Sequence, residues 1–199
     1  MHLLLITGFL GSGKTTLILQ LAQAVIERGR RVAILVNEIG EIGIDNQLMK
    51  QLDMNVWELL NGCICCTLSA DLVSTLQTLD ADYAPDMVII EPSGAADPRS
   101  ILSALPYYKG RPLEAIRTVS VVDPQRLAIL IEVLTPLVTS QIQNADLILV
   151  SKPDLASPDE LEFAGQTARS INPQARVIHT GPEAGRDPSV LAEIAPWLS

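Results

Sequence analysis

The sequence predicts a doubly wound α/β fold, with a mostly parallel sheet covered by helices on both faces. Three observations carry this. Short, continuously apolar runs recur along the chain, as in strands buried on both faces. Stretches with helical spacing or helix-capping residues alternate with those runs. A glycine-rich segment lies between the first apolar run and the first helical stripe, where such folds keep a ligand-binding turn.

The elements follow in order. Leu3-Leu4-Leu5-Ile6 is the first strand, and Leu17, Ile18, Leu21 and Val25 mark the buried stripe of the helix after it. Arg28-Gly29-Arg30 suits that helix's C-terminus, where a glycine relaxes the backbone and basic side chains meet carbonyls. Arg31 to Val36 reads as a second strand and Val56 to Leu59 as a short third. Leu68, Leu72, Leu76 and Leu79 form one helix face, and Met87 to Ile90 is a strand ending at Glu91. Asp97-Pro98, Asp123-Pro124 and Asp187-Pro188 each pair an N-cap with a proline at the first helical position, and Ser157-Pro158-Asp159-Glu160 is a capping box. Val119 to Val122, Leu147 to Val150 and Ala175 to Ile178 complete the strands. Pro136 predicts a kink or a division of its helix. Residues 105–112 are turn-rich and carry no clear pattern.

The 199 residues suit one domain, 1–199, with 48% hydrophobic and 19% charged residues. Fourteen basic against 23 acidic residues give a formal charge of −9, which argues against nucleic acid or an anionic membrane as partner. No signal peptide or membrane-length apolar run is visible, so a cytoplasmic protein is expected, and a disulfide framework for its three cysteines is not.

Gly8-Phe9-Leu10-Gly11-Ser12-Gly13-Lys14-Thr15 fits G-x-x-x-x-G-K-S/T, the phosphate-binding loop of P-loop NTPases. Gly8, Gly11 and Gly13 let the backbone turn, so that the amides around Ser12 and Thr16 converge on phosphate oxygens at a helix N-terminus. Lys14 is expected to reach the β- and γ-phosphates, and the Thr15 hydroxyl to ligate Mg²⁺.

Four further loops belong at strand ends. In Glu91-Pro92-Ser93-Gly94, Glu91 can hold Mg²⁺ through water or orient the attacking water, and the Gly94 N–H can sense a γ-phosphate. Ser151-Lys152-Pro153-Asp154 occupies the place of an x-K-x-D motif. There Asp154 would accept two hydrogen bonds from guanine and the Lys152 stem would lie over the base; Ser151 stands where Asn is usual, and ATP stays open on this motif alone. Cys63-Ile64-Cys65-Cys66 gathers every cysteine of the chain. A cytosolic cluster of this kind reads as a soft-metal site for Zn²⁺ first, with Co²⁺, Ni²⁺ or Cu⁺ open and a fourth ligand needed from elsewhere. Glu38 and Glu41 can join that metal or face Mg²⁺. Asp123 reads as a helix cap, and the lone His179 as a packing or hydrogen-bonding residue.

Together, Gly8 through Thr16, Asn37-Glu38, Cys63-Ile64-Cys65-Cys66, Glu91 through Pro98 and Ser151 through Asp154 resemble the CobW-like branch of P-loop GTPases, related to HypB and UreG. The resemblance implies a slow GTPase using GTP and Mg²⁺, with Zn²⁺ or Co²⁺ at the cysteines. It further implies delivery of that metal to a client metalloprotein and a nucleotide- or metal-dependent homodimer. By resemblance alone, Thr180-Gly181-Pro182 lies near the guanine. The chain reads as a short form without the family's usual C-terminal domain. Two other readings compete: a small-molecule P-loop kinase, which would need an arginine-bearing lid that is not evident although Arg99 and Arg111 lie in unassigned loops, and a nucleotide-dependent adaptor without metal transfer.

Overall fold

The computed structural model describes residues 1–36, 55–58 and 68–197. Strands β1 (His2–Thr7), β2 (Val32–Val36), β3 (Asn55–Glu58), β4 (Met87–Glu91), β5 (Ala115–Val122), β6 (Leu147–Ser151) and β7 (Arg176–Thr180) form one sheet. Its order is β3-β2-β4-β1-β5-β6-β7, and every described pairing is parallel. Helices α1 (Lys14–Ile26), α2 (Leu68–Asp82), α3 (Pro98–Ala104), α4 (Pro124–Gln143), α5 (Pro158–Ile171) and α6 (Pro188–Ile194) cover both faces. The expected doubly wound α/β fold is therefore present. No helix among the described residues is long and apolar enough to cross a membrane.

The alternation of strand side chains builds the two faces. Leu4 and Ile6 of β1 join Leu17, Ile18, Leu21 and Val25 of α1 and Val190 and Ile194 of α6 in one core. Leu3 and Leu5, pointing the other way, pack with Leu72, Leu76 and Leu79 of α2 and Ile101 of α3. Further along that second face, Ile148 and Val150 of β6 meet Leu127, Val138 and Ile142 of α4 and Ala164 and Ala168 of α5. Because both faces are apolar, the strands read as continuous hydrophobic runs, and truncating a side chain such as Leu21 should cost about 2–5 kcal/mol.

Local chemistry sets the boundaries. Asp97, Asp123 and Asp187 each accept the backbone N–H two residues on, with proline at the first helical position. Ser157 and Glu160 form the reciprocal capping box. Helix α1 stops at Ile26, slightly before the basic segment. Gly29 takes φ +71° just beyond, and the Arg28 guanidinium donates to the Ala24 carbonyl at 2.6 Å. Helix α4 is broken at Leu134 (φ −132°, ψ 36°), two residues before Pro136, whose ring disfavours helical backbone just upstream. The unpatterned 105–112 segment is tied down by Arg111, which donates from its backbone and side chain to Asp80 of α2 and from its guanidinium to the Pro85 carbonyl. With all strands parallel, the turns leaving β1, β4, β5, β6 and β7 lie along one edge of the sheet, with the β1 turn between those of β4 and β5.

Candidate functional site

The turn after β1 has the conformation its glycines predict. Gly8, Gly11 and Gly13 take φ of +140°, +78° and +101°. At Gly8 a Cβ would stand 2.3 Å from the Val121 carbonyl oxygen, so only glycine fits between β1 and β5. Gly13 is the N-cap of α1, without a side-chain cap, and the space beside it is open. The first N–H groups of α1 thus face a free volume, as an anion site needs. Among the described residues the buried Ser12 hydroxyl has no hydrogen-bond partner, consistent with a polar ligand here.

Three successive carbonyls of this turn each accept from a cation. Lys14 Nζ donates to Phe9 O at 3.2 Å, Arg126 Nη1 to Leu10 O at 3.1 Å and Lys152 Nζ to Gly11 O at 2.6 Å. The cations engage the loop's acceptors and raise the local positive potential where phosphate would sit.

Glu91, at the end of β4, faces the start of α1. Thr15 Oγ1 donates to Glu91 Oε1 at 3.4 Å, and Lys14 Nζ lies 3.8 Å from the same oxygen. The Lys14 and Glu91 side chains are largely buried, at 7% and 12% exposure. These groups line a cleft of about 450 Å³ with Leu10, Gly11, Gly13, Thr16 and Lys152. A hydroxyl beside a carboxylate is a hard-oxygen pair suited to Mg²⁺, so these residues fit that ion. Gly94 stands over the phosphate loop: a Cβ on it would lie 3.0 Å from the Leu10 nitrogen and 3.4 Å from the Gly8 oxygen. The Glu91–Asp97 segment therefore rests directly on the loop.

Beside this cleft, a pocket of about 150 Å³ is lined by Gly13, Thr16, Ser151, Lys152, Thr180 and Gly181, among others. The Gln20 side chain ties its far wall to α1, donating to Pro182 O at 2.9 Å and accepting from the Gly185 N–H at 2.7 Å. Lys152 takes a left-handed φ of +53° and pairs with Asp123 Oδ2 at 2.8 Å. Asp123 also caps α4 through the Gln125 N–H, as its sequence setting predicts. Ser151 donates to the Val122 carbonyl at 3.2 Å, so its hydroxyl braces β6 against β5. Asp154 is exposed and is not among the residues lining the pocket.

Lys14, Thr15, Thr16, Glu91 and Lys152 thus meet around one cleft, with Thr180 and Gly181 in the adjoining pocket. Glu38, Glu41, Cys63, Cys65 and Cys66 lie outside the described residues. Among the described residues no three His, Cys, Asp or Glu side chains group as a metal site. His179 is exposed on the edge strand β7. Sequence reasoning missed Arg126, Gln20, Ser140 and Gln141. Each is an ordinary residue on a helix, distinguished only by which loop the fold sets beside it.

Residues 2–179 match the family described as CobW/HypB/UreG, nucleotide-binding domain. The chain is 37% identical over 177 residues to the zinc chaperone YeiR of Escherichia coli, covering 88% of this chain and 54% of that protein. It spans about half, or less, of the length of the curated relatives it matches. The structure of Zn(II)-bound YjiA GTPase from E. coli superimposes with a TM-score of 0.66 at 26% identity, over 89% of this chain and 57% of that one. HypB from Archaeoglobus fulgidus shares the fold, with a TM-score of 0.68 at 17% identity over 100% of this chain and 91% of that one. The family match runs from β1 to β7, and this chain belongs to the CobW/HypB/UreG family of nucleotide-binding domains.

Proposed function

We propose that residues 1–199 act as a single GTPase domain that hydrolyses GTP to GDP and phosphate, and that its nucleotide state controls binding and delivery of Zn²⁺ or Co²⁺ to a client metalloprotein. The observation that carries the reading is the convergence of Lys14, Thr15 and Glu91 within 3.8 Å at the mouth of the phosphate loop. In this reading water attacks the γ-phosphorus, the bond to the β–γ bridging oxygen breaks, and that oxygen leaves with GDP. The loop amides and Lys14 stabilise the charge that develops on the bridging and γ-oxygens. Thr15 and Glu91 would hold Mg²⁺, which supplies further neutralisation of the phosphate charge. Gly94 reads the γ-phosphate, Lys152 and Asp154 read the base, and Thr180 and Gly181 close the base pocket.

The metal half of the proposal rests on Cys63, Cys65 and Cys66, with Glu38 or Glu41 as candidate oxygen ligands, and on relatives named zinc chaperones. Three thiolates select soft or borderline ions. A cytoplasmic setting, a nucleotide- or metal-dependent homodimer and the absence of nucleic-acid or membrane partners belong to the same reading. The kinase alternative gains no support from the two arginines outside the site: Arg99 pairs with Asp97 and Arg111 with Asp80.

The test is a Zn²⁺ and Co²⁺ titration of the reduced protein in its apo, GDP and non-hydrolysable GTP forms. Metal should bind roughly 5- to 150-fold tighter in the GTP form, and by linkage metal should tighten GTP by the same factor. Replacing Cys63, Cys65 and Cys66 by Ser should abolish the Co²⁺ thiolate band and leave metal-free GTP binding intact. Equal metal affinity in all three states would refute the coupling.

A further inference from the structure

Helix α4 touches the nucleotide machinery at both of its ends. Its first turn carries Arg126, which holds the Leu10 carbonyl, and follows Asp123, which holds Lys152. Near its other end, two consecutive residues grip the segment after Glu91. Gln141 Nε2 donates to the Gly94 carbonyl at 3.0 Å and to the Ala96 carbonyl at 3.4 Å. Ser140 Oγ donates to Asp97 Oδ1 at 2.6 Å. Both side chains are buried, at 4% for Ser140 and 3% for Gln141. The break at Leu134 lies between the two sets of contacts.

A buried amide donating to loop carbonyls does more than fill space. Gln141 fixes two peptide planes of the segment whose Gly94 rests on the phosphate loop. We infer that Gln141, assisted by Ser140, is a positioning residue that presets the Gly94–Asp97 segment for a γ-phosphate and so sets the preference for GTP over GDP. The inference rests on the GTPase reading above and deepens it. A ligand that must order a loop before contacting it loses affinity in proportion to the fraction of time the loop is misplaced. GTP reaches this segment through its γ-phosphate. GDP lacks that group, so its binding is insensitive to how the segment is held. The discontinuity at Leu134 separates the Gln141 half of the helix from the Asp123–Arg126 half, which contacts the phosphate loop.

The test compares the full chain with Gln141→Met, which keeps the side chain's length and loses the donor, and with Ser140→Ala. Equilibrium binding is measured with fluorescent GDP and a fluorescent non-hydrolysable GTP analogue, beside thermal unfolding. Gln141→Met should weaken the GTP analogue about tenfold, as expected for losing a buried donor, and change GDP by less than twofold. Ser140→Ala should act in the same direction by a smaller factor, and it carries the test if Gln141→Met does not fold. Equal weakening of both nucleotides would mean a merely structural role and overturn the inference, as would an unchanged ratio in both variants. An unmutated protein that binds neither guanine nucleotide would instead overturn the GTPase reading, and the inference with it.

Discussion

Asp123 makes two separable contacts, which allows a quantitative prediction. Its carboxylate accepts the Gln125 N–H at 3.1 Å as the cap of α4, and it pairs with Lys152 Nζ at 2.8 Å. Replacing an N-cap Asp by Ala costs about 1 kcal/mol. The ion pair joins a carboxylate 4% exposed to a lysine side chain 33% exposed. Its loss should therefore exceed the 0–1 kcal/mol of a surface pair and fall short of the roughly 3–5 kcal/mol of a fully buried one. Asp123→Ala should thus cost about 2–3 kcal/mol, or roughly 4–12 °C in Tm for a domain of this size. Asp123→Asn keeps an acceptor for the cap and loses the charge, so about 1–2 kcal/mol is expected. Urea denaturation at pH 7 reads both values, with an unchanged m-value showing that the unfolded state is comparable. Both variants should also weaken nucleotide binding, because Lys152 is then held by Gly11 O alone of these two anchors. Two variants within 0.5 kcal/mol of the unmutated protein would refute the argument, and an Asn variant as damaging as the Ala variant would remove the cap from it.

Three further outcomes are expected. Lys14→Ala should slow GTP hydrolysis by about 10²–10³ in a phosphate-release assay and leave far-UV circular dichroism unchanged, since in the proposed reaction Lys14 would neutralise charge at the reacting phosphates. Asp154→Asn should lose about 2–4 kcal/mol of GTP affinity and gain affinity for xanthosine triphosphate in competition binding, because Asn can donate to the xanthine carbonyl. The Arg99 guanidinium, with help from the Ser140 hydroxyl, holds the Asp97 carboxyl down at about 2 against an ordinary 3.8. A lowered folded-state value stabilises above the unfolded one, so this contribution is intact above pH 4 and is lost between about pH 4 and 2. The expected loss is about 1 kcal/mol after solvent screening, and Asp97→Asn should remove it from the acid-unfolding profile.

The fold was legible because its signals are local and repeated. Four helices begin at a capping residue followed by proline, and each starts where the capping chemistry predicts. Sheet strands buried on both faces announce themselves by unbroken apolar runs, as at Leu147–Val150. The phosphate loop was legible for a different reason: the turning glycines, the start of α1 and the lysine fall within eight consecutive residues. Arg126 and Gln141 were not legible, because a helix sequence does not say which loop its polar side chain will meet. Ser151 marks another limit. The motif shows only that serine stands where asparagine is usual, and the structure adds that its hydroxyl faces the Val122 carbonyl across the strand pair while the residue lines the pocket. A side chain at a strand end has two directions available, and tertiary packing chooses between them.

The charge distribution explains how an acidic chain can hold a polyphosphate. The net charge is −9, yet Lys14, Arg126 and Lys152 stand on three consecutive carbonyls of one turn. At physiological ionic strength, charges beyond a Debye length of about 8 Å are largely screened. A triphosphate in the cleft would meet Lys14, Lys152 and the start of α1, with Arg126 held at the Leu10 carbonyl outside the cleft lining, while the acidic remainder of the surface would contribute little. The same economy accounts for the role of Asp123. Placing three cations beside one turn, with no anion yet bound, would make them repel one another. A buried carboxylate beside Lys152 offsets part of that repulsion without entering the cleft. Glu91 stands in the same relation to Lys14, but it lines the cleft itself.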